Sequence, residues 1–397
     1  MVTRLRPAHT LDEIYGPGLL YSPRGAPGAR TWLPRDDTVL DLLTGGQMTV
    51  LGGMPLLCAS AVSTPEALQL LRDAGFDAPA DPFRYRDEDE YPRILSGLSG
   101  GARRIVVQHV HPASVLPPDR CWIPPSALSF LNNKGNLAEL VDAPHLPARR
   151  VVESGRIARF IPASALPLVL KAITDESTGG GLDVAVCRTP ADIGAAAELF
   201  RPCARVVEEK YMEFARDLCL NYAANADGGS AYLGCAEQVL TPDAKYRGNW
   251  IDPESEAPPA AVEAGARVVR AGAALGYRGC VGIDIGVLHD GRFVVYDLNF
   301  RVNGSTAAVL LAGEIRRVSN RSVLRFRNWV GRSAYRDMLD AAYSAMGTGA
   351  LLPLASYDPK AGGFPDAAPR LSGLVLGATR GEVCEREREL ADLGLGD

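Results

Sequence analysis

The sequence predicts an α+β protein, and three observations carry that prediction. Two apolar runs fold back on themselves about Asp-Gly pairs: 218–226 with 231–240 about Asp227-Gly228, and 281–288 with 292–299 about Asp290-Gly291. Asp-Gly between apolar runs is a strong hairpin signal. An Ala-rich helix over 258–275 separates the two hairpins, and a strand–helix–strand pattern fills the first 125 residues. Antiparallel hairpins with helices set apart from them fit the α+β class.

The elements follow in order. Residues 1–30 are rich in Pro and Gly and read as irregular. A short strand is expected at 48–51. Thr64-Pro65-Glu66 then opens a helix to about residue 74, with Thr64 as cap and Pro65 in the first turn. Residues 77–90 read as a polar loop, and the β-branched run 104–110 as a strand. Pro112, Pro117, Pro118, Pro124 and Pro125 mark a linker. No GxGxxG or Walker A pattern lies in this stretch. Beyond it come a helix at 134–141, a strand at 166–173, a glycine turn at 177–181, a strand at 205–209, and the two hairpins around their helix. After residue 312 the sequence predicts Arg-rich helices, a Pro/Gly loop near 353–369, a strand at 372–377 and a final helix. The expected division is 1–125 as a small α/β domain, 126–312 as the central domain, and 313–397 as a small C-terminal α/β extension.

Composition bounds the function. With 397 residues, 47% hydrophobic and 22% charged, the chain is neither disordered nor a disulfide scaffold. A net charge of −5 gives no global electrostatic reason to bind nucleic acid. The eight Cys show no CxxC or CxH spacing, and the sixteen-residue steps Cys187, Cys203, Cys219 and Cys235 match no zinc site. Reduced thiols in a cytoplasmic protein are expected. Met1 to Arg6 lack the apolar run of a signal peptide. Residues 42–65 are uncharged and long enough to span a bilayer. They are broken by Gly45, Gly46, Gly52, Gly53 and Pro55, and read as a buried segment. Of 42 basic residues only five are Lys: Lys134, Lys171, Lys210, Lys245 and Lys360. Where Arg is the default cation, each Lys marks a place to look for a role that Arg does not fill.

The second hairpin carries the chemistry. A two-residue turn at Asp290-Gly291 pairs His289 with Arg292, which sets Asp284 opposite Asp297 and Gly282 opposite Asn299. Alternation puts Asp297 and Asn299 on one face, and Ile283, Ile285, Val294, Tyr296 and Leu298 on the other. Like charges directly opposite destabilise a sheet, so a shared proton, an ion pair or a divalent cation must offset them. Asp, Asp and Asn supply the oxygen ligands that Mg²⁺ takes beside phosphate oxygens. Arg301 follows, and Gly304-Ser305-Thr306 opens a helix, a natural anion site. Together they point to Mg²⁺–phosphate chemistry. His109 and His111, at a strand end, are expected to be structural or near the substrate.

These residues resemble the ATP-grasp superfamily, whose two carboxylates and Asn hold Mg²⁺ on ATP. Asp284, Asp297 and Asn299 match that pattern, although Asp297 stands where Glu is common. Arg301 matches an Arg found two residues after the Asn in many members. The resemblance spans about 126–312. It implies an ATP-grasp fold preceded by an N-terminal α/β domain. It also assigns phosphate contacts to Lys134, in Asn132-Asn133-Lys134-Gly135-Asn136, and to Lys171 at a strand end. Gly179, Gly180 and Gly181 resemble the flap over the phosphates. Val206 to Met212 resembles the adenine hinge, with Glu209 (or Glu208) on the amino group, Lys210 beside the base, and backbone from Tyr211 and Met212. Asp217 is the implied ribose ligand, with Glu213 competing. Lys245 is similar to a loop lysine that reaches the terminal phosphates. Ammonium groups suit phosphate as adaptable point charges. The phrases 31–37 and 297–306 are most similar to those of pheganomycin-type peptide ligases.

The resemblance implies an ATP-dependent carboxylate–amine ligase acting on amino acids or small peptides. An acyl phosphate would form, releasing ADP, and an amine would then displace phosphate. Arg301, Lys245 and Ser305 are the expected catalytic residues. ATP and Mg²⁺ (or Mn²⁺) are the expected cofactors. Small-molecule carboxylate and amine substrates are the expected partners, with neither nucleic acid nor membrane, and with a homodimer as a candidate assembly. The competing expectations are an ATP-grasp kinase and a non-catalytic nucleotide-binding module. Arg247, Arg325 and Arg327 are candidate carboxylate binders, and Tyr246 and Trp250 candidate pocket residues.

Overall fold

A computed structural model describes residues 4–26, 32–33, 36–176 and 180–396. The first part comprises α1 (Leu11–Tyr15), β1 (Leu20–Ser22), α2 (Asp37–Leu43), β2 (Leu57–Ala59), α3 (Pro65–Asp73), β3 (Phe83–Tyr85), α4 (Glu90–Ser99) and β4 (Ile105–Val107). β1 pairs with β4 and β2 with β3, both parallel, and a Tyr21–Leu56 bridge joins the pairs. Local sequence explains the helix starts. Thr10 and Glu13 cap α1 reciprocally, and the Thr64 hydroxyl accepts from the Ala67 amide at 3.1 Å, as expected for α3. Three expectations are corrected. Residues 1–30 contain α1 and β1. Residues 48–51 are buried turns, and the strand lies later, at Leu57–Ala59. The supposed loop 77–90 holds β3 and the start of α4.

The chain then forms α5 (Pro125–Asn132), α6 (Leu137–Leu140), β5 (Arg149–Glu153), α7 (Ile157–Phe160), β6 (Leu168–Ile173), β7 (Val184–Cys187), α8 (Pro190–Leu199) and β8 (Arg205–Lys210). Their strands make a four-stranded antiparallel sheet in the order β5-β8-β6-β7. It has a separate core around Leu168, Leu170, Ile193, Phe200 and Val206. Trp32 reaches this core from the N-terminal part, its ring 6.0 Å from that of Phe200.

The remaining elements are β9 (Arg216–Ala224), β10 (Ser230–Leu240), β11 (Tyr246–Ile251), α9 (Pro259–Ala274), β12 (Gly279–Val287), β13 (Phe293–Asn299), α10 (Thr306–Ser319), β14 (Val323–Gly331), α11 (Tyr335–Gly347), β15 (Leu351–Tyr357), β16 (Arg370–Gly377), α12 (Arg380–Asp392) and β17 (Leu395–Gly396). Among the described residues they build one nine-stranded sheet, ordered β13-β12-β9-β10-β11-β14-β16-β15, with β17 beside β14. The strands after residue 312 therefore extend the central sheet. β14 is a further correction, because Arg325 and Arg327 sit in a strand where helices were expected. The Pro/Gly loop also begins only after Tyr357.

One face of this sheet carries Leu218, Leu220, Ile283 and Ile285 against α9, where the Tyr222 hydroxyl donates to the Val262 carbonyl at 2.8 Å. The opposite face carries the polar positions. No helix among the described residues is long and apolar enough to cross a membrane.

Candidate active site

The hairpin β12–β13 positions the carboxylates. Asp284 lies opposite Asp297 and Gly282 opposite Asn299, as the sequence predicts, but by another route. The turn is one residue longer: the Leu288 amide donates to the Arg292 carbonyl and Val287 faces Phe293. A bulge at Tyr296 restores the register before Asp297. This corrects the placement of Tyr296. Its hydroxyl donates to Asp217 and its carbonyl accepts from Lys171, so it serves the polar side rather than the face of Ile283 and Leu298.

Two lysines bracket the carboxylates. Lys134 stands in a short turn between α5 and α6, with its carbonyl held by Arg149. Its ammonium lies 3.1 and 3.2 Å from the Asp297 oxygens and 3.4 Å from Asp183. Lys171 on β6 pairs with Glu209 at 2.8 Å and donates to the Tyr296 carbonyl at 2.7 Å. Both lysines thus link the four-stranded sheet region to the large sheet. Burial works against the charge of Lys134, but Asp183 and Asp297 outweigh it and hold its pKa above the ordinary value.

The two aspartates are unequal. Burial, and then the charge of Asp297, push the Asp284 carboxyl up to about 6. Burial also opposes ionisation of Asp297, yet Lys134 and Lys171 prevail and hold it below the usual carboxylate range. Asn299 donates to Asp284 at 3.0 Å. Asp217 is pushed up to about 7, chiefly by burial, against the Tyr296 hydroxyl bond that favours its anion.

The other expected residues divide. Glu209 is buried and turned to Lys171, with Arg149 3.6 Å away. Its neighbour Glu208 points the other way, to Arg150 at 2.8 Å. Lys210 is exposed at the end of β8, and Tyr211 and Met212 follow, half-buried, with Arg188 over the Tyr211 ring. The Lys245 ammonium donates to the Gly181 carbonyl at 2.7 Å, tying the β10–β11 loop to the glycine turn. Gly181 has φ +75°, and a Cβ there would meet the Ala244 carbonyl oxygen at 2.4 Å, so only glycine fits. Gly180 also has positive φ, whereas Gly179 lies outside the described residues. Arg301 donates to the Asn132 side chain at 3.2 Å. Ser305 is buried, and its hydroxyl is engaged by Asn221 and Asn303 at 3.0 and 2.8 Å, so it shapes the loop before α10.

Arg325 and Trp250 share the sheet face opposite Asp284 by register, and Arg325 and Arg327 approach Glu387 of α12. They do not join the carboxylates. Tyr246 does face this side, packed so tightly against Gly304 that a Cβ there would come within 2.7 Å of its hydroxyl. His111 is buried and bonded to Tyr91 at 2.8 Å, a structural role. No group of three His, Cys, Asp or Glu that could hold a metal occurs among the described residues. The oxygen donors available are two carboxylates and an amide, a set that suits Mg²⁺ only when phosphate oxygens complete it. Sequence reasoning missed Asp183, Arg149, Asn132 and Asn221. Asn132 alone had a signal, two residues before Lys134.

Two family profiles match the chain: the ATP-grasp domain of L-aspartate–L-methionine ligase over residues 147–299, and the N-terminal domain of that ligase over residues 10–129. Solved structures with a similar fold include an N5-carboxyaminoimidazole ribonucleotide synthetase in complex with ADP. It is 13% identical, with 98% of each chain covered and a TM-score of 0.59. The Aspergillus clavatus N5-carboxyaminoimidazole synthase, with ADP and 5-aminoimidazole ribonucleotide, is 13% identical over 95% of this chain and 98% of its own, with a TM-score of 0.58. Biotin carboxylase from Campylobacter jejuni is 11% identical over 95% and 91%, with a TM-score of 0.57.

Proposed function

The chain belongs to the ATP-grasp carboxylate–amine ligases, and from that premise we propose that it joins two amino acids through a peptide bond. The matching family's description, an aspartate–methionine ligase, makes that pair the first to try. A carboxylate oxygen of one substrate attacks the γ-phosphorus of ATP, the bond to the β-phosphate breaks, and ADP leaves. The amine of the second substrate then attacks the acyl carbon. Phosphate departs with its bridging oxygen, and one proton passes to solvent.

The observation that carries the reading is the facing pair Asp284 and Asp297 with Lys134 and Lys171 drawn onto the same side. In this reading Lys134, Lys171 and Lys245 hold phosphate charge as point cations. On this reading Glu209 accepts from the adenine amino group, with Lys210, Tyr211 and Met212 along the base and Asp217 at the ribose. Gly180 and Gly181 bring backbone close to the phosphates. Arg301 and the backbone turn beginning at Gly304 stabilise charge on the transferring group, with Ser305 holding that turn through Asn303. Asp284, Asp297 and Asn299 would hold Mg²⁺ (or Mn²⁺), which when bound neutralises phosphate charge. The protein's share is positioning and preorganised charge.

The test is an ADP-release screen of amino-acid pairs, aspartate with methionine first, with the product weighed by mass spectrometry. A dipeptide is expected. A phosphorylated amino acid without a dipeptide would contradict the reading.

A further inference from the structure

We propose that Asp183 is a positioning residue: a second anchor for Lys134 that releases Asp297 to a metal ion. The inference rests on the nucleotide-site reading above and goes beyond it, because no motif marks Asp183.

Lys134 is shared between carboxylates from two sheets. Asp297 lies on β13 of the large sheet, at 3.1 Å, and Asp183 lies just before β7 of the small one, at 3.4 Å. Asp183 is only 2% exposed, and its Oδ2 has no hydrogen bond. Its backbone is fixed, since its carbonyl accepts from the Ala172 amide at 3.0 Å on β6. A buried carboxylate held so loosely is costly unless its charge is used.

Asp297 has two claimants, because a carboxylate that ligates a cation cannot keep its full bond to an ammonium. Lys134 therefore needs another counter-charge when the metal arrives. Glu209 cannot serve, being committed to Lys171 at 2.8 Å. Asp183 is already in place and faces the same ammonium. Lys134 transfers its pairing from Asp297 to Asp183 and stays in the cleft, ready for phosphate. Without Asp183, Lys134 and the metal compete for Asp297 directly.

The experiment titrates ADP into the full chain by calorimetry, once with EDTA and once with Mg²⁺. In the unaltered chain Mg²⁺ tightens ADP. In Asp183→Asn that tightening is expected to fall about tenfold, while the metal-free affinity stays within about threefold. Asp183→Glu, which keeps the charge, is expected to restore most of it. Equal weakening with and without Mg²⁺, or an unchanged tightening, overturns the proposal. A second comparison tests whether the effect runs through Lys134, while Asp183→Glu keeps the test open if Asp183→Asn folds poorly. Adding it to Lys134→Gln should cost no further Mg²⁺-linked tightening, since no lysine remains to be moved, and a further loss overturns the proposal. An unaltered chain that binds no ADP would overturn the nucleotide reading itself. ADP binding with an Mg²⁺ response indifferent to Asp183 would overturn this proposal alone.

Discussion

Asp284 and Asp297 face each other across one hairpin, yet Lys134 contacts only Asp297, at 3.1 Å. That asymmetry answers the repulsion of like charges at paired strand positions. One carboxylate is held as an anion by lysine, and the other is held toward its acid form by burial. Replacing Asp297 with Ala should therefore lower ADP release about a thousandfold. The fold should survive, because Lys134 keeps Asp183. ADP release and a thermal melt check both parts, and undiminished turnover would sink the assignment.

The two neighbouring glutamates should behave differently. Glu209→Gln loosens Lys171 and should weaken ADP about tenfold, in the range for breaking a charge-assisted bond. Glu208→Gln removes only a pair with the exposed Arg150 and should change ADP affinity less than about twofold. Calorimetric titration of both variants decides it, and the reverse order would move the adenine contact to Glu208.

Asp217 predicts a pH dependence of stability. Its ordinary value is 3.8, and the fold raises it to about 7. The folded chain thus binds more protons than the unfolded chain between those values. Its stabilising contribution is full below 3.8 and is lost as pH rises through 7. Asp217→Asn, which can still accept from Tyr296, should raise the nucleotide-free melting temperature more at pH 8 than at pH 4. An equal shift at the two pH values contradicts the raised value.

Gly181→Ala should raise the KM for ATP several-fold with little change in global melting. The added Cβ meets the Ala244 carbonyl, and positive φ costs a non-glycine residue about 1–2 kcal/mol. The turn can relieve the strain by moving away from Lys245. Steady-state kinetics and a melt separate the two effects, and an unchanged KM would remove the glycine turn from the nucleotide site.

Much of this site was legible because its signals are local. Asp290-Gly291 announces the hairpin, and counting from it gives the facing of Asp284 and Asp297 because the longer turn and the bulge cancel. The scarce lysines point to the same place, since Lys134 and Lys171 meet at the carboxylate hairpin and Lys245 at the glycine turn, while Lys360 sits in an exposed loop. The bulge at Tyr296 was not legible, because it answers to Asp217 on another strand. Asp183 was hidden for the same reason: its partner is 49 positions away in sequence and comes from another element. β14 was misread because the partners of its arginines are distant in sequence: Arg325 and Arg327 both approach Glu387 on α12, and Arg325 also lies over the Trp250 ring. The apolar run 48–51 lacks the pairing partner that would make it a strand, and its flanking glycines turn it instead.

An acyl phosphate on the amino-acid carboxylate is the step on which the proposed ligation depends. It is tested most directly with a substrate whose carboxylate oxygens are oxygen-18, in the presence of ATP and the amine partner. One labelled oxygen is expected in each phosphate released with the dipeptide. Unlabelled phosphate, with dipeptide still formed, would contradict it.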